Sequence, residues 1–144
     1  MTSVSNSQVA KSFRANRHKS FQWLGRFVLS SLGWKVTGSI KEDYENQKLV
    51  LVVAPHTSNW DGVLGMAAIA GLDARIAFFG KHTIFRYFGL GAFLWYMGGI
   101  PVNRASPGGA IADGIKKIKS IDFSLIGMAP EGTRSKVVEW KTGF

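Results

Sequence analysis

The sequence predicts an α/β fold with a mostly parallel central sheet flanked by helices. Short apolar segments rich in valine, isoleucine and phenylalanine alternate with longer segments of helical periodicity, a pattern typical of parallel β-α-β units. The chain has 144 residues and 46% hydrophobic content, which suits one domain with a substantial core. Charged residues follow several predicted strands, at the sheet edge where α/β proteins gather their functional sites.

Composition limits the classes of partner and chemistry. The formal charge is +9, from 18 basic and 9 acidic residues, which favours binding to polyanions. Nucleic acid, an anionic membrane surface and phosphorylated substrates therefore stay open. Five tryptophans and 12% aromatic content favour the membrane interface. The absence of cysteine excludes disulfides, thiolate metal sites and a cysteine nucleophile, and fits a reducing compartment.

The N-terminal region, residues 1–33, is predicted to differ from the domain at 34–144. Residues 1–8 are polar, so we expect no ordered structure there. Residues 9–32 show the pattern of a basic amphipathic helix, which either lies in a lipid headgroup layer or packs on the domain. Residues 1–20 lack the pattern of a signal peptide. The most apolar stretch, 87–102, is too short and glycine-rich for a membrane span.

The central motif begins with a predicted buried strand at residues 49–54, which stops at Pro55. Ser58 or Asn59 can cap a helix over 61–70, so Asp61 falls in its first turn. From there a carboxylate can hold one nitrogen of His56 and leave the other free as a base. The alternative is a loop histidine near a helix-capping aspartate.

The remaining elements place further polar residues at strand ends. Strands are predicted at 34–38, 75–79, 100–103 and 123–129, and helices at 84–97 and 110–119. Lys116, Lys117 and Lys119 are expected on a solvated helix face. The residues that follow predicted strands are His56, Lys81, Arg104 and 131–134. We expect them to form one composite site at the carboxyl edge of the sheet.

Three blocks stand in order: the His-x4-Asp motif at 56–61, Gly-Ile-Pro-Val-Asn-Arg at 99–104, and Glu-Gly-Thr-Arg at 131–134. Together they resemble the 1-acylglycerol-3-phosphate acyltransferase family, in its short bacterial type. The resemblance runs from about residue 34 to the end, and the flanks at 79–83 and 140–144 share it. It implies a glycerol-3-phosphate acyltransferase-like fold behind an N-terminal amphipathic helix.

The resemblance implies an O-acyltransferase of phospholipid biosynthesis. A fatty acyl group would pass from acyl-CoA or acyl-carrier protein to a hydroxyl of a lysophospholipid, with 1-acyl-sn-glycerol 3-phosphate as the default acceptor. His56 would be the general base, and Asp61 would orient it and stabilise its imidazolium form. The hydroxyl would attack the thioester directly, without an acyl-enzyme, a metal or a cofactor.

The resemblance also implies a site for the acceptor phosphate, formed by Arg104, Glu131, Gly132, Thr133 and Arg134. Arginine makes charge-assisted bonds to phosphate, and glycine permits close backbone approach. An ionised Glu131 cannot bind phosphate directly, so we expect it to orient an arginine or to accept from a glycerol hydroxyl. Lys81 is a further candidate substrate contact. The expected location is peripheral, on the cytoplasmic face of an anionic membrane.

Two features depart from the family pattern. Pro55 precedes the histidine where many members have asparagine, and the family continues beyond Glu-Gly-Thr-Arg with a helix and a strand, so we expect a C-terminally incomplete domain. The alternatives are a membrane-surface lipid-binding protein without catalysis and an acyltransferase for a different lysolipid. A nucleic-acid binder fits poorly, because the basic residues are scattered and many aromatics lie in apolar segments. A metallohydrolase fits poorly because three histidines show no metal-ligand spacing.

Overall fold

The computed structural model describes residues 4–44, 47–103, 109–120 and 125–131. The helices in these ranges are α1 (Lys19–Ser31), α2 (Asn59–Leu72), α3 (Leu90–Tyr96) and α4 (Gly109–Lys119). The strands are β1 (Leu49–Val52), β2 (Ile76–Lys81), β3 (Gly99–Val102) and β4 (Leu125–Met128). Short 3₁₀ turns lie at Asn6–Gln8, Lys11–Phe13, Glu42–Tyr44 and His82–Arg86. The predicted α/β class is confirmed.

The chain divides into two compact units. The first comprises Met1–Gln47 and Ser58–Arg75, and therefore contains α1 and α2. The second comprises Lys48–Thr57 and Ile76–Phe144, and contains the sheet with α3 and α4. These units do not correspond to the predicted domains 1–33 and 34–144, and that domain boundary stays a prediction.

The second unit is built on a parallel sheet with the strand order β1-β4-β2-β3. Val52 lies opposite Met128, and Phe78 lies opposite both Gly127 and Gly99, so β4 and β2 occupy the centre. Apolar residues of β2, β3 and β4 form the core of the unit, whereas Val50 to Val52 of β1 are exposed. Ala77, Ile100 and Val102 are buried there, with Phe79 and Ile118 of α4 packed against them.

The first unit is built on the packing of α1 against α2. Gly25 permits this packing, because a Cβ at that position would lie 2.6 Å from both the Ala67 carbonyl oxygen and the Gly71 nitrogen. Leu29, further along the same face, is buried with Ala67. Val4 joins this cluster and is only 3% exposed, so the prediction that residues 1–8 lack ordered structure is wrong for residues 4–8.

The first helix has two distinct faces. Gln22, Gly25 and Leu29 are buried, whereas Trp23, Leu24 and Phe27 are exposed. The Trp23 and Phe27 rings stack with their centroids 5.3 Å apart. The helix thus packs within its unit and also presents aromatic side chains outward. It begins at Lys19, later than the predicted start near residue 9.

Two predicted elements differ from the structure. Residues 34–38 form no strand; they are largely exposed, and the Gln8 side-chain amide donates to the carbonyl oxygens of Val36 (2.9 Å) and Gly38 (3.2 Å). The helix predicted over 84–97 is divided, because Gly89 adopts φ +77° and interrupts the helical backbone before α3. In the described part of the chain, no helix is both long and apolar enough to cross a membrane.

Candidate active site

His56 lies in the loop that leaves β1. The Val53 N–H donates to the Met128 carbonyl oxygen (2.9 Å), so the β1–β4 ladder continues one residue beyond the strand. Pro55, which follows a cis peptide bond, has no N–H and cannot continue it. The next N–H, that of His56, donates instead to Oε2 of Glu131 at 2.7 Å. His56 therefore follows β1 as predicted. The prediction that this strand is buried and central is wrong: in the described sheet β1 pairs with β4 alone, and Val50 to Val52 are exposed.

Glu131 lies three residues beyond β4 and is only 7% exposed. Its carboxylate joins the first and third sequence blocks, which are far apart in the chain. A hydrogen bond from an amide to a carboxylate is charge-assisted, and burial strengthens it. The structure therefore brings together two of the predicted site residues, His56 and Glu131, through the backbone of one and the side chain of the other.

Asp61 lies in the first turn of α2, within the first unit. Ser58 is the N-cap, because its Oγ accepts from the Trp60 N–H at 3.1 Å. The Asp61 Oδ2 accepts from the Ser58 N–H at 2.7 Å, which completes a capping box. A carboxylate at this position also interacts favourably with the helix dipole. The predicted cap and the predicted position of Asp61 are both confirmed.

A second polar group lies where β3 ends. The Asp113 Oδ2 on α4 accepts from the Asn103 N–H (3.3 Å) and from Lys117 Nζ (2.8 Å), and Lys117 also donates to the Pro101 carbonyl oxygen. The Lys117 hydrogen bond, followed by that of Asn103, lowers the pKa of the Asp113 carboxyl. The expectation of a purely solvated lysine face is wrong for Lys117, and the Asp-x3-Lys spacing of a helical ion pair was the available signal.

The other predicted site residues are placed less completely. Lys81 is the last residue of β2, exposed, and in register with Val102. Arg104, Gly132, Thr133 and Arg134 lie outside the described residues. Among the residues that the structure describes, no group of three or more His, Asp or Glu side chains is placed to hold a metal ion.

A comparison with protein families identifies the class. The acyltransferase family matches residues 35–144, a range that contains β1, the His-x4-Asp motif and Glu131. The chain therefore belongs to the acyltransferase family, and the resemblance noted in the sequence is confirmed.

Comparison with solved structures places the fold. The crystal structure of the 1-acyl-sn-glycerophosphate (LPA) acyltransferase PlsC from Thermotoga maritima is similar, with a TM-score of 0.54 and 24% sequence identity. The similarity covers 86% of this chain and 48% of PlsC, so the chain spans about half the length of that protein. None of the curated protein sequences matches this chain.

Proposed function

We propose that the protein catalyses O-acyl transfer from a thioester to a hydroxyl of a lysophospholipid, as a step of phospholipid biosynthesis. One observation carries the proposal: within the family-matched region, a histidine stands directly beyond the parallel strand β1, with its backbone fixed by a buried carboxylate. Ligand sites of parallel α/β sheets lie at the carboxyl ends of the strands. The proposed acceptor is 1-acyl-sn-glycerol 3-phosphate, which is also the substrate type in the name of the T. maritima protein.

In the proposed mechanism, His56 takes the proton of the acceptor hydroxyl while the oxygen attacks the thioester carbonyl. The tetrahedral intermediate then breaks its C–S bond, the new ester forms, and the leaving thiolate receives the proton from the imidazolium. Asp61 orients the imidazole and stabilises its charged form. Its position in a capping box supports a fixed carboxylate, because Ser58 holds one of its oxygens.

Substrate binding is assigned to the remaining residues of the motifs. Arg104 and Arg134 bind the acceptor phosphate, with Gly132 and Thr133 between Glu131 and Arg134 contributing backbone and hydroxyl contacts. Lys81, exposed at the end of β2, contacts the phosphate or the donor. Acyl-CoA and acyl-carrier protein are both candidate donors, since they present the same kind of thioester.

The reaction is tested with radiolabelled acyl-CoA, or acyl-carrier protein, and a panel of lysophospholipids that differ in headgroup. We expect a labelled diacyl product, and fastest turnover with the acceptor whose phosphate is a monoester. If the protein prefers another lysolipid, the proposed reaction stands and the proposed acceptor is wrong. A folded protein that acylates no lysolipid from either donor would overturn the proposed function.

We further propose that the protein acts at the cytoplasmic face of an anionic membrane as a peripheral protein. Trp23, Leu24 and Phe27 are exposed on α1, and a separate exposed aromatic group lies in the second unit, at Tyr87 and Phe88. The +9 formal charge complements anionic lipid, where each Lys or Arg near the surface contributes about 1 kcal/mol. Tyr and Trp are typical of the headgroup region.

Membrane binding is tested by sedimentation with vesicles that contain anionic or only zwitterionic phospholipid. We expect stronger binding to the anionic vesicles, and a loss of about tenfold or more when Trp23 and Phe27 are both replaced by serine, because two large apolar side chains no longer enter the interface. Tyr44→Ser is the matched control, since Tyr44 is an exposed aromatic outside α1. Equal binding of all three proteins would contradict the α1 assignment.

A lipid-binding protein without catalysis is the second candidate, and the exposed aromatic groups favour it equally well. His56 distinguishes the two functions, because binding does not require a base. A protein that binds vesicles but yields no ester product, with or without His56, would belong to the second class.

A further inference from the structure

The carboxylate of Glu131 is nearly inaccessible to solvent and is already engaged by the protein backbone. Its residue is 7% exposed, and Oε2 lies 2.7 Å from the His56 nitrogen. A buried carboxylate needs hydrogen-bond donors to offset the loss of hydration. The His56 N–H is such a donor, so the contact stabilises both the side chain of Glu131 and the backbone at His56.

This contact lies just beyond the end of the hydrogen-bonded ladder between β1 and β4. β1 is fixed to β4 through Val53, whose N–H donates to the Met128 carbonyl oxygen. Two residues later, Pro55 offers no N–H, so ladder hydrogen bonds cannot extend to the loop in the usual way. The Glu131 side chain, which follows Met128 by three residues, reaches the first N–H after the proline. It thus extends the attachment between the β1 and β4 segments to the residue that carries the imidazole.

We infer that Glu131 is a positioning residue for the base, acting on the backbone of His56, and that this is its main contribution to catalysis. The inference rests on the proposed function, in which His56 is the base. Fixing the amide nitrogen restricts φ of His56, and with it the direction in which the ring leaves the backbone. Reacting groups must be held closely, since a displacement of about 1 Å can cost on the order of 100-fold in rate.

This role differs from the one implied by the family resemblance, in which Glu131 belongs to the phosphate site, and the two roles have different kinetic signatures. A positioning role acts on turnover, because the base is misplaced whether or not the acceptor is bound. A role in the phosphate site acts on acceptor binding. The roles also differ in their need for charge: an amide N–H is accepted by a neutral carbonyl oxygen, whereas orientation of an arginine relies on the carboxylate charge.

Glu131→Gln and Glu131→Ala separate these possibilities. Glutamine keeps the shape and one acceptor oxygen, so we expect turnover within about tenfold of the native protein. Alanine removes the acceptor, so we expect kcat to fall about 100-fold, with the KM for the lysophospholipid changed less than about threefold. Glu42→Gln is the control for loss of one carboxylate, because Glu42 is exposed in the first unit. A large rise in acceptor KM with kcat retained, in both Glu131 variants, would overturn the inference.

A second measurement does not depend on activity. Hydrogen exchange at the His56 amide, followed by NMR, should be protected in the native protein and in Glu131→Gln, and should accelerate at least tenfold in Glu131→Ala. Unchanged exchange in the alanine variant would overturn the inference whatever the kinetics. Native protein without transferase activity but with this exchange pattern would instead overturn the proposed function. If Glu131→Ala does not fold, Glu131→Gln decides: kcat and acceptor KM both near the native values support the inference, and a large rise in acceptor KM overturns it.

Discussion

Two buried carboxylates, Asp73 in the first unit and Glu131 in the second, hold the backbone of distant segments. Asp73 accepts from the N–H groups of Asn16 (3.1 Å) and Arg17 (2.9 Å), and is 2% exposed. Glu131 accepts from the N–H of His56. The difference lies in what is held: Asp73 fastens the segment that leads into α1, whereas Glu131 fastens a histidine at a sheet edge. The same interaction therefore serves stability in one unit and, by our proposal, catalysis in the other.

The two carboxylates also differ in the charges around them. Arg17 Nη1 lies 3.8 Å from the Asp73 carboxylate and donates to the Ala74 carbonyl oxygen at 2.8 Å, so a cation is buried beside this carboxylate. Asp73 itself has φ +59°, a left-handed conformation that Asp and Asn tolerate better than most residues. The Asp73 carboxylate thus compensates the buried charge of Arg17, and the residue also forms the left-handed turn that ends α2.

The largest expected effect comes from His56→Ala. Acyl transfer should fall by about 10²- to 10⁴-fold, because general-base catalysis is lost. The free energy of unfolding should change by less than about 1 kcal/mol, because the variant keeps the N–H that donates to Glu131. Steady-state kinetics and urea denaturation measure the two quantities. The control is His18→Ala, at an exposed histidine of the first unit, which should retain transfer. Normal turnover in His56→Ala would show that His56 is not the base.

The next effect is on stability and comes from Asp73→Ala. The variant should lose about 3 kcal/mol of unfolding free energy, because the Arg17 guanidinium and two backbone N–H groups lose a buried partner. Transfer per folded molecule should stay at the native value. Asp73→Asn keeps an acceptor and tolerates the left-handed backbone, so its loss should be smaller. Urea denaturation of both variants tests this prediction. Native stability in both variants would show that the Asp73 carboxylate does not stabilise the fold.

The smallest effect is expected at a third carboxylate, Asp113, which is only partly exposed. Its pKa is lowered in the folded state by Lys117 and the Asn103 N–H, relative to an unfolded value of about 3.9. The ion pair therefore stabilises the fold above that pH, and the contribution is lost as pH falls through the folded pKa. Asp113→Asn should flatten the acid side of the stability profile below about pH 4. Urea midpoints are measured for the variant and the native protein at pH 3 and pH 6. A difference between the two proteins that is the same at both pH values would contradict this prediction.

Local sequence signals predicted much of the fold. Ser58 precedes a helical pattern by one residue, and valine runs mark β1, so the strand, the cap and the start of α2 were all foreseeable. The aromatic stretch at 84–97 was misleading, because its apolar character continues across Gly89 although the backbone does not. Trp34 and Val36 have the composition of a strand, but nothing local indicates that the Gln8 side chain donates to the carbonyl oxygens of Val36 and Gly38.

The candidate site was predictable in its parts and not in its connections. Motif spacing and resemblance identified His56, Asp61 and Glu131, and periodicity placed them near element ends. The hydrogen bond between His56 and Glu131 joins residues 75 positions apart, so it depends on the sheet register of β1 with β4. The Asp-x3-Lys spacing indicates the pairing of Lys117 with Asp113 on the same helix, whereas its second partner, the Pro101 carbonyl oxygen, depends on how α4 packs on β3.

The strand order β1-β4-β2-β3 has a consequence for how the protein forms during synthesis. Among the described strands, β1 pairs with β4 alone, so residues 49–52 leave the ribosome long before residues 125–128 are available as their neighbour. Parallel pairing across such a sequence separation is slow, because the intervening loop must be closed first. A nascent chain that stops before residue 125 can form the α1–α2 unit but leaves the valine-rich strand unpaired. The segment that bears the proposed base is therefore among the last to acquire its structure, and we expect catalytic competence to arise only after β4 has been translated.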